Sequence, residues 1–178
     1  MSKTKKLVLT AMFVALGMVL PFLTGQIKEI GDSLLPMHFV IMLCGFICGW
    51  QYGAASGLVL PFLRSFAFGM PPLFPNCVWM SLELATYGLV TGLMFKAFSK
   101  KDIKATVISL IVAMISGRIV WGVAKVVLMG IAGKSFTVAM FITGGFVDAI
   151  PGIIIQLILI PIIVNRILNG KMQIYNKN

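Results

Sequence analysis

The sequence predicts an all-α integral membrane protein, a compact bundle of six transmembrane helices with both termini in the cytoplasm. Of its 178 residues, 59% are hydrophobic and only 11% are charged, and the mean hydropathy is +1.01. A water-soluble domain of this length needs more polar residues to cover its surface. Apolar stretches recur along the chain, and basic residues cluster between them. These observations predict a single membrane domain, residues 1–178.

Six apolar segments are the candidate spans: about 6–24, 36–50, 52–67, 77–96, 104–130 and 137–165. The first lacks a small-residue cleavage site and continues into hydrophobic chain, so we expect a retained helix and no signal peptide. The second and third are short, and only Trp50, Gln51 and Tyr52 separate them. One long helix is therefore an alternative.

Three clusters of basic residues decide the topology. With six spans all three lie on one side of the membrane, whereas five spans would place two of them outside, against the positive-inside rule. We therefore expect six spans, with Lys28, Arg64 and Lys134 in outer loops. The clusters are Lys3, Lys5 and Lys6, then Lys96, Lys100, Lys101 and Lys104, and finally Arg166, Lys171 and Lys177.

The net charge is +10, from 15 basic and five acidic residues. In a membrane protein such an excess reflects the positive-inside bias and anionic headgroups, so we expect the lipid bilayer as a partner and no nucleic acid. Cys44, Cys48 and Cys77 fit neither a disulfide framework nor a zinc site, and we expect them to pack in the core.

Two predicted outer loops are long. Residues 24–36 are polar, and residues 64–76 contain three prolines, which cannot donate to a helix, so we expect 64–76 to be non-helical. Long loops of this kind often act as lids. Glycines at four-residue spacing also predict close helix packing. They are Gly45, Gly49, Gly53 and Gly57.

Four ionisable side chains lie within predicted spans. A charge in hydrocarbon is costly, so it usually faces a bundle interior or a polar cavity and marks a functional site. The rise per residue places all four in the outer half of the membrane or near its midplane. This predicts a cavity that opens outward between spans four, five and six. The four are Glu83, Arg118, Lys125 and Asp148.

Each of these charges lies on a polar stripe at helical spacing. Pro151 removes the helical hydrogen bond to the carbonyl of Val147, so we expect a kink beside Asp148. We predict that the members of the stripes on spans four and five contact a ligand, and that Asp148 does so on span six. The stripes are Asn76, Glu83 and Tyr87 with Trp79 on span four, Arg118, Trp121 and Lys125 on span five, and Asp148, Gly152 and Gln156 on span six.

Structural explanations exist for the same charges. Glu83 with Arg118, and Asp148 with Lys125, could be ion pairs that hold the bundle together. Buried pairs are weak evidence for stability, however, because apolar residues usually serve as well. Their presence in apolar helices therefore favours function.

The candidate aromatic and histidine contacts also have alternatives. Trp79 and Trp121 could be interfacial anchors, although Trp121 lies deeper. His38, at the start of span two, is a further candidate contact, but a lone histidine there is more often a boundary residue.

The chain carries no enzymatic motif. It has no GxSxG elbow, and its single histidine excludes an HExxH zinc site. Gly133, Lys134 and Ser135 resemble the end of a phosphate-binding loop, but Leu128 stands where the first glycine belongs. We expect no enzyme, no cofactor, no metal and no ATP site, so uptake against a gradient would need an energy source outside this chain.

Two sequence features point to a known family. The first span carries the motif Ala11-Met12-Phe13-Val14-Ala15, and spans two and three carry PMHFVIMLCGFICGWQYGAASGLVLPFLRSF. Together with the chain length, the six spans and the long first outer loop, these features resemble the substrate-binding (S) components of energy-coupling factor (ECF) vitamin transporters.

The resemblance implies a bacterial plasma-membrane protein that binds a vitamin or precursor from outside. It also implies association with a transmembrane coupling subunit and two cytoplasmic ATPases, which alone use ATP. Ala11 and Ala15 would then contact the coupling subunit. The loops 24–36 and 64–76 would be lids, and spans four to six would form the pocket.

The candidate contacts suit a small aromatic heterocycle that both donates and accepts hydrogen bonds. A vitamin B6-type pyridine fits best. Pantothenate would use Arg118 and Lys125 but leaves Glu83 unexplained, and a hydroxymethylpyrimidine or a deazaguanine precursor also fits. Two other functions stay open: a stand-alone proton-coupled carrier that uses Glu83 and Asp148 as relay groups, and a structural membrane protein.

Overall fold

The computed structural model describes residues 1–24 and 33–175, with the backbone alone for residues 23–24 and 169–175. This part of the chain is helical and contains no strand, which confirms the prediction of an all-α fold. A 3₁₀ turn covers Leu20–Thr24, and irregular helical segments cover Leu73–Cys77 and Thr143–Val147. The α-helices are α1 (Lys3–Val19), α2 (Pro36–Cys48), α3 (Trp50–Phe68), α4 (Val78–Ala97), α5 (Ile103–Ile131), α6 (Val138–Ile142) and α7 (Ile150–Tyr175).

Helix length and composition identify a multi-pass membrane protein. Shorter apolar helices cover Pro36–Cys48 and Val138–Val147. α3 has 19 residues, but polar side chains such as Arg64 interrupt its apolar sequence. Aliphatic side chains cover much of the outer surface of the bundle, as expected where it contacts lipid. Four helical stretches of the described chain are long and apolar enough to span a bilayer: Lys3–Phe22, Leu73–Ala97, Ile103–Ile131 and Ile150–Leu168.

α4 packs against α2, α3 and α5, and glycines allow the close approach. A Cβ atom added to Gly53 of α3 would lie 2.7 Å from the carbonyl oxygen of Gly88 on α4 and 2.8 Å from Cα of Gly45 on α2. The predicted glycine packing is therefore confirmed for Gly45, Gly53 and Gly57 but not for Gly49, where an added Cβ would meet only the Lys6 ammonium, at 4.0 Å. Gly49 separates α2 from α3, because its φ of 103° is not helical. A residue with a side chain would be strained in that conformation. The break thus lies before the predicted residues 50–52.

The two predicted outer loops have different outcomes. α3 continues to Phe68, so the prediction that all of 64–76 is non-helical is wrong for residues 64–68. The helix ends where Gly69 adopts φ of 72°, and its N–H donates to the carbonyl of Ser65 at 2.8 Å. Of the other predicted loop, 24–36, residues 25–32 lie outside the described residues, and so does the predicted position of Lys28.

Arg64 is buried within α3, and its prediction as an outer-loop residue is wrong. Only 4% of its surface is exposed. Its guanidinium donates to the carbonyl of Met18 near the end of α1 and lies 5.3 Å from the ring centroid of Phe22 and 5.6 Å from that of Phe68. A helix-end carbonyl and two aromatic faces both favour a cation. Arg64 therefore links α1 to α3.

The predicted span 137–165 is not one continuous helix. A turn at Asp148 and Ala149 precedes α7. Gly145, Ala149, Gly152 and Gln156 are buried, whereas Asp148 is exposed. The prediction that Asp148 shares an inward stripe with Gly152 and Gln156 is therefore wrong, because the inward face passes through Ala149 and leaves Asp148 at its edge.

Candidate functional site

A buried group of polar side chains lies where α2, α4 and α5 meet. Glu83 of α4 is 2% exposed, and its Oε1 lies 2.9 Å from Nη1 of Arg118 on α5. Tyr87 donates its hydroxyl to the same oxygen at 3.3 Å. Nε2 of His38, on α2, also lies 3.3 Å from that oxygen. We call these four residues the polar cluster. The Glu83–Arg118 ion pair considered from the sequence is present.

Packing around Tyr87 sets the geometry of the cluster. Glu83 and Tyr87 are four residues apart and share one face of α4. The Tyr87 ring lies against Gly117 of α5, where an added Cβ would be 2.6 Å from its Cε1. The Tyr87 ring also packs edge-on against the His38 ring, with their centroids 5.2 Å apart. The absence of a side chain at Gly117 therefore lets Tyr87 reach Glu83.

His38 joins the cluster because of how α2 begins. Leu35 adopts the left-handed conformation with φ of 51°, and Pro36 opens the helix. The Leu35 carbonyl accepts a hydrogen bond from Nε2 of Gln156 on α7 at 3.3 Å. α7 thus holds the start of α2, and His38, 4% exposed, lies in the interior. The polar cluster therefore includes the second predicted span, which the expected pocket of spans four to six did not.

Beside the polar cluster, three aromatic rings surround the ammonium group of Lys125. Its Nζ lies 4.3 Å from the ring centroid of Trp121, 5.0 Å from that of Trp79 and 5.4 Å from that of Phe136. We call these three rings the aromatic cage. Such contacts stabilise a cation through the negative faces of the rings. Among the described residues no ion pair joins Asp148 to Lys125, so that expected pair is not found.

The Thr143–Val147 segment covers Trp121. Added Cβ atoms at Gly144 and Gly145 would lie 3.5 Å from Cη2 and 3.3 Å from Cζ3 of its indole. The ring of Phe141 is 5.9 Å away between centroids. Phe136 and Phe141 were not among the predicted contacts, because neither lies on a stripe with a charged residue. The signal that could have indicated them is their place in, and directly after, the short connection that follows α5.

The other predicted site residues are placed less centrally. Asn76 is half-buried in the segment before α4, one turn before Trp79. Asp148 is exposed at the turn before α7. Ala11 and Ala15 are exposed on α1, on the outside of the bundle. Within residues 1–24 and 33–175, no group of three His, Cys, Asp or Glu residues could hold a metal ion.

The match to a known family covers most of the chain. A protein-family model described as the substrate-specific component of an ECF transporter matches residues 5–164. The chain belongs to this family. It is therefore the substrate-binding subunit of a transporter and not an enzyme, as the resemblance implied. Neither a curated protein nor a solved structure gives a significant match to this S component.

In this S component, Arg118 connects the two halves of the candidate site. Its Cζ lies 5.8 Å from the ring centroid of Trp121, while its Nη1 holds Glu83. The polar cluster thus offers a carboxylate and a guanidinium, and the aromatic cage places three rings and the Lys125 ammonium group next to them. A small polar molecule with an aromatic ring has the complementary chemistry.

Proposed function

We propose that this S component captures a small vitamin-like molecule from outside the cell through the polar cluster and the aromatic cage. One observation carries the proposal: a carboxylate, a guanidinium and a histidine lie together in the interior of an apolar bundle. Ionisable groups in such surroundings are costly, and they generally mark a binding or transport site. The adjoining rings of Trp79 and Trp121 supply a stacking surface.

A vitamin B6-type pyridine is our first candidate substrate. Its ring can stack in the aromatic cage, and its ring nitrogen and hydroxyl groups can pair with Glu83 and Arg118. Pantothenate, a hydroxymethylpyrimidine and a deazaguanine precursor are the other candidates. Asp148 has no part in this proposal, because its side chain is exposed at the turn before α7.

We also propose that the bound molecule is delivered through a transmembrane coupling subunit driven by two cytoplasmic ATPases. Ala11 and Ala15 would form the contact with the coupling subunit. Both side chains are small and exposed on α1, which lets a partner helix approach closely.

The proposed topology has six spans and both termini on the cytoplasmic side of the bacterial plasma membrane. α1, α2, α3, α4, α5 and α7 would be the spans, with α6 a short helix before the last. Cysteine substitutions at Lys100 and Lys134, which flank α5, test this arrangement. A membrane-impermeant thiol reagent applied to intact cells should label Lys134→Cys and spare Lys100→Cys. The reverse pattern would refute the proposed orientation.

Substrate capture is tested with the purified protein. Mass spectrometry should identify a small vitamin-like molecule that co-purifies with it, and that molecule should bind with sub-micromolar affinity. Trp50→Phe removes the one tryptophan outside the aromatic cage, since the chain contains three tryptophans. Ligand binding should then change the fluorescence of Trp79 and Trp121. If no member of a vitamin panel binds, the proposal that this protein captures a vitamin-like substrate is refuted.

Gly130→Ala is the matched control for the binding measurements. Gly130 lies on α5, as Arg118 does, but an added Cβ would have nothing within 4 Å. Its affinity should equal that of the unsubstituted protein. Liposomes that contain the S component alone should show no uptake driven by a pH gradient. Uptake under those conditions would instead support a proton-coupled carrier.

A further inference from the structure

The guanidinium of Arg118 uses only part of its donor set. Nη1 donates to Glu83 at 2.9 Å, whereas Nη2 is buried and has no hydrogen-bond partner among the described residues. Arg118 is 4% exposed, so bulk water does not solvate it. A buried donor without a partner costs free energy, and nearly all such groups in native proteins are satisfied. Nη2 therefore marks a position where an acceptor belongs.

A second polar atom of the same cluster is also unsatisfied. Nε2 of His38 is buried and lies 3.3 Å from Oε1 of Glu83, but it makes no hydrogen bond to any described residue. Oε1 already accepts from Arg118 and Tyr87. The cluster thus has unused hydrogen-bonding capacity at two of its members, and at Arg118 that capacity is a charge-assisted donor.

We infer that the substrate presents an ionised oxygen, a carboxylate or a phenolate, to Nη2 of Arg118. This inference rests on the proposed function and narrows it to one chemical class. A guanidinium is always charged and binds oxyanions more strongly than neutral oxygens. Since the guanidinium also adjoins Trp121, the ring or chain that bears the oxyanion extends toward the aromatic cage.

The inference separates the candidate substrates. Pantothenate carries a carboxylate and a B6-type pyridine carries an ionisable phenol, so both have the required group. A neutral hydroxymethylpyrimidine lacks it. Matched probes with and without a carboxylate, or with and without a phenol, show which of the two oxyanions the site binds.

The test compares matched ligand pairs that differ in the oxyanion. The pairs are pantothenate with panthenol, nicotinate with nicotinamide, and pyridoxine with its 3-deoxy analogue. Binding to the Trp50→Phe protein is followed by fluorescence. In at least one pair the acidic member should bind about 10- to 100-fold more tightly, the effect of one charge-assisted hydrogen bond.

Two variants assign that preference to Arg118. Glu83→Gln keeps the guanidinium, so it should keep the preference for the acidic ligand. Glu83→Gln/Arg118→Gln removes the guanidinium without leaving an unpaired buried charge, so it should fold and lose the preference. If Glu83→Gln does not fold, the test still compares the double variant with the unsubstituted protein.

The possible outcomes are distinct. Equal binding of both members of every pair, or tighter binding of the neutral members, overturns the inference and leaves substrate capture intact. Such a result would mean that a buried water molecule accepts the hydrogen bond from Nη2. A preference that survives in the double variant also overturns it. Failure of every probe to bind refutes the inference and also excludes a B6-type pyridine and pantothenate as substrates.

Discussion

The interaction between Glu83 and Arg118 gives the sharpest test of the polar cluster. In the ligand-free protein, Arg118→Gln leaves the carboxylate of Glu83 buried with the Tyr87 hydroxyl as its hydrogen-bond donor. Breaking a buried pair in this way costs roughly 3 to 5 kcal/mol of stability. Glu83→Gln should cost about 3 kcal/mol, at the low end of that range, because the amide oxygen can still accept from Arg118.

The double variant Glu83→Gln/Arg118→Gln should be far more stable than the sum of the single effects predicts. Two neutral amides of similar size can hydrogen-bond to each other, so no charge is stranded. We expect it to lie within about 1.5 kcal/mol of the unsubstituted protein, which gives a coupling free energy of about 5 kcal/mol. The control is Gly130→Ala, which alters the same helix away from the cluster.

Unfolding by SDS in mixed micelles, followed by circular dichroism, measures these free energies. Additive effects of the two substitutions would refute the reasoning, because they would mean that the two side chains do not interact. Binding of the co-purifying molecule is measured on the same samples. If the double variant binds it as tightly as the unsubstituted protein does, the cluster has a structural role only and the proposed site is wrong.

Three further predictions concern other parts of the bundle. Ala15→Trp should abolish uptake by the complete transporter in cells and leave the Kd of the purified subunit unchanged, since the added bulk blocks only a partner helix. Loss of binding would undo the assignment of that face. Gly53→Ala should destabilise the protein by about 1 to 3 kcal/mol in SDS unfolding, because the new Cβ would meet backbone atoms at 2.7 and 2.8 Å, whereas Gly130→Ala should not destabilise it. Similar effects of these two substitutions would contradict the packing argument. Arg64→Ala should cost about 2 to 4 kcal/mol through loss of its carbonyl and aromatic contacts, and a cost below about 0.5 kcal/mol would show that Arg64 does not link α1 to α3.

The sequence was sufficient for properties that depend on local composition and helical period. Hydropathy identified a helical membrane protein, because a bilayer tolerates few alternatives to a closed helix. The period of the helix placed Trp79, Glu83 and Tyr87 on one face of α4. Arg118 and Trp121 were predicted on one face of α5 by the same argument. These predictions need no knowledge of which helices are neighbours.

The tertiary structure decided which of these faces meet and which side chains from elsewhere join them. His38 enters the polar cluster because a hydrogen bond between Gln156 and Leu35, two residues distant in sequence, holds the start of α2. Phe136 completes the aromatic cage from a connection without regular period.

Asp148 shows most clearly why the helical period alone was insufficient. Its predicted stripe assumed that one helix continues through residues 137–165. The buried residues of this stretch are Gly145, Ala149, Gly152 and Gln156, so the inward face passes through Ala149 and leaves Asp148 exposed at its edge. Neighbouring residues differ by about 100° around a helix, and the polar spacing alone did not show which of these two neighbours faces inward. Where helices end and which of them pack together are properties of the whole chain, and they decide which buried charges share a site.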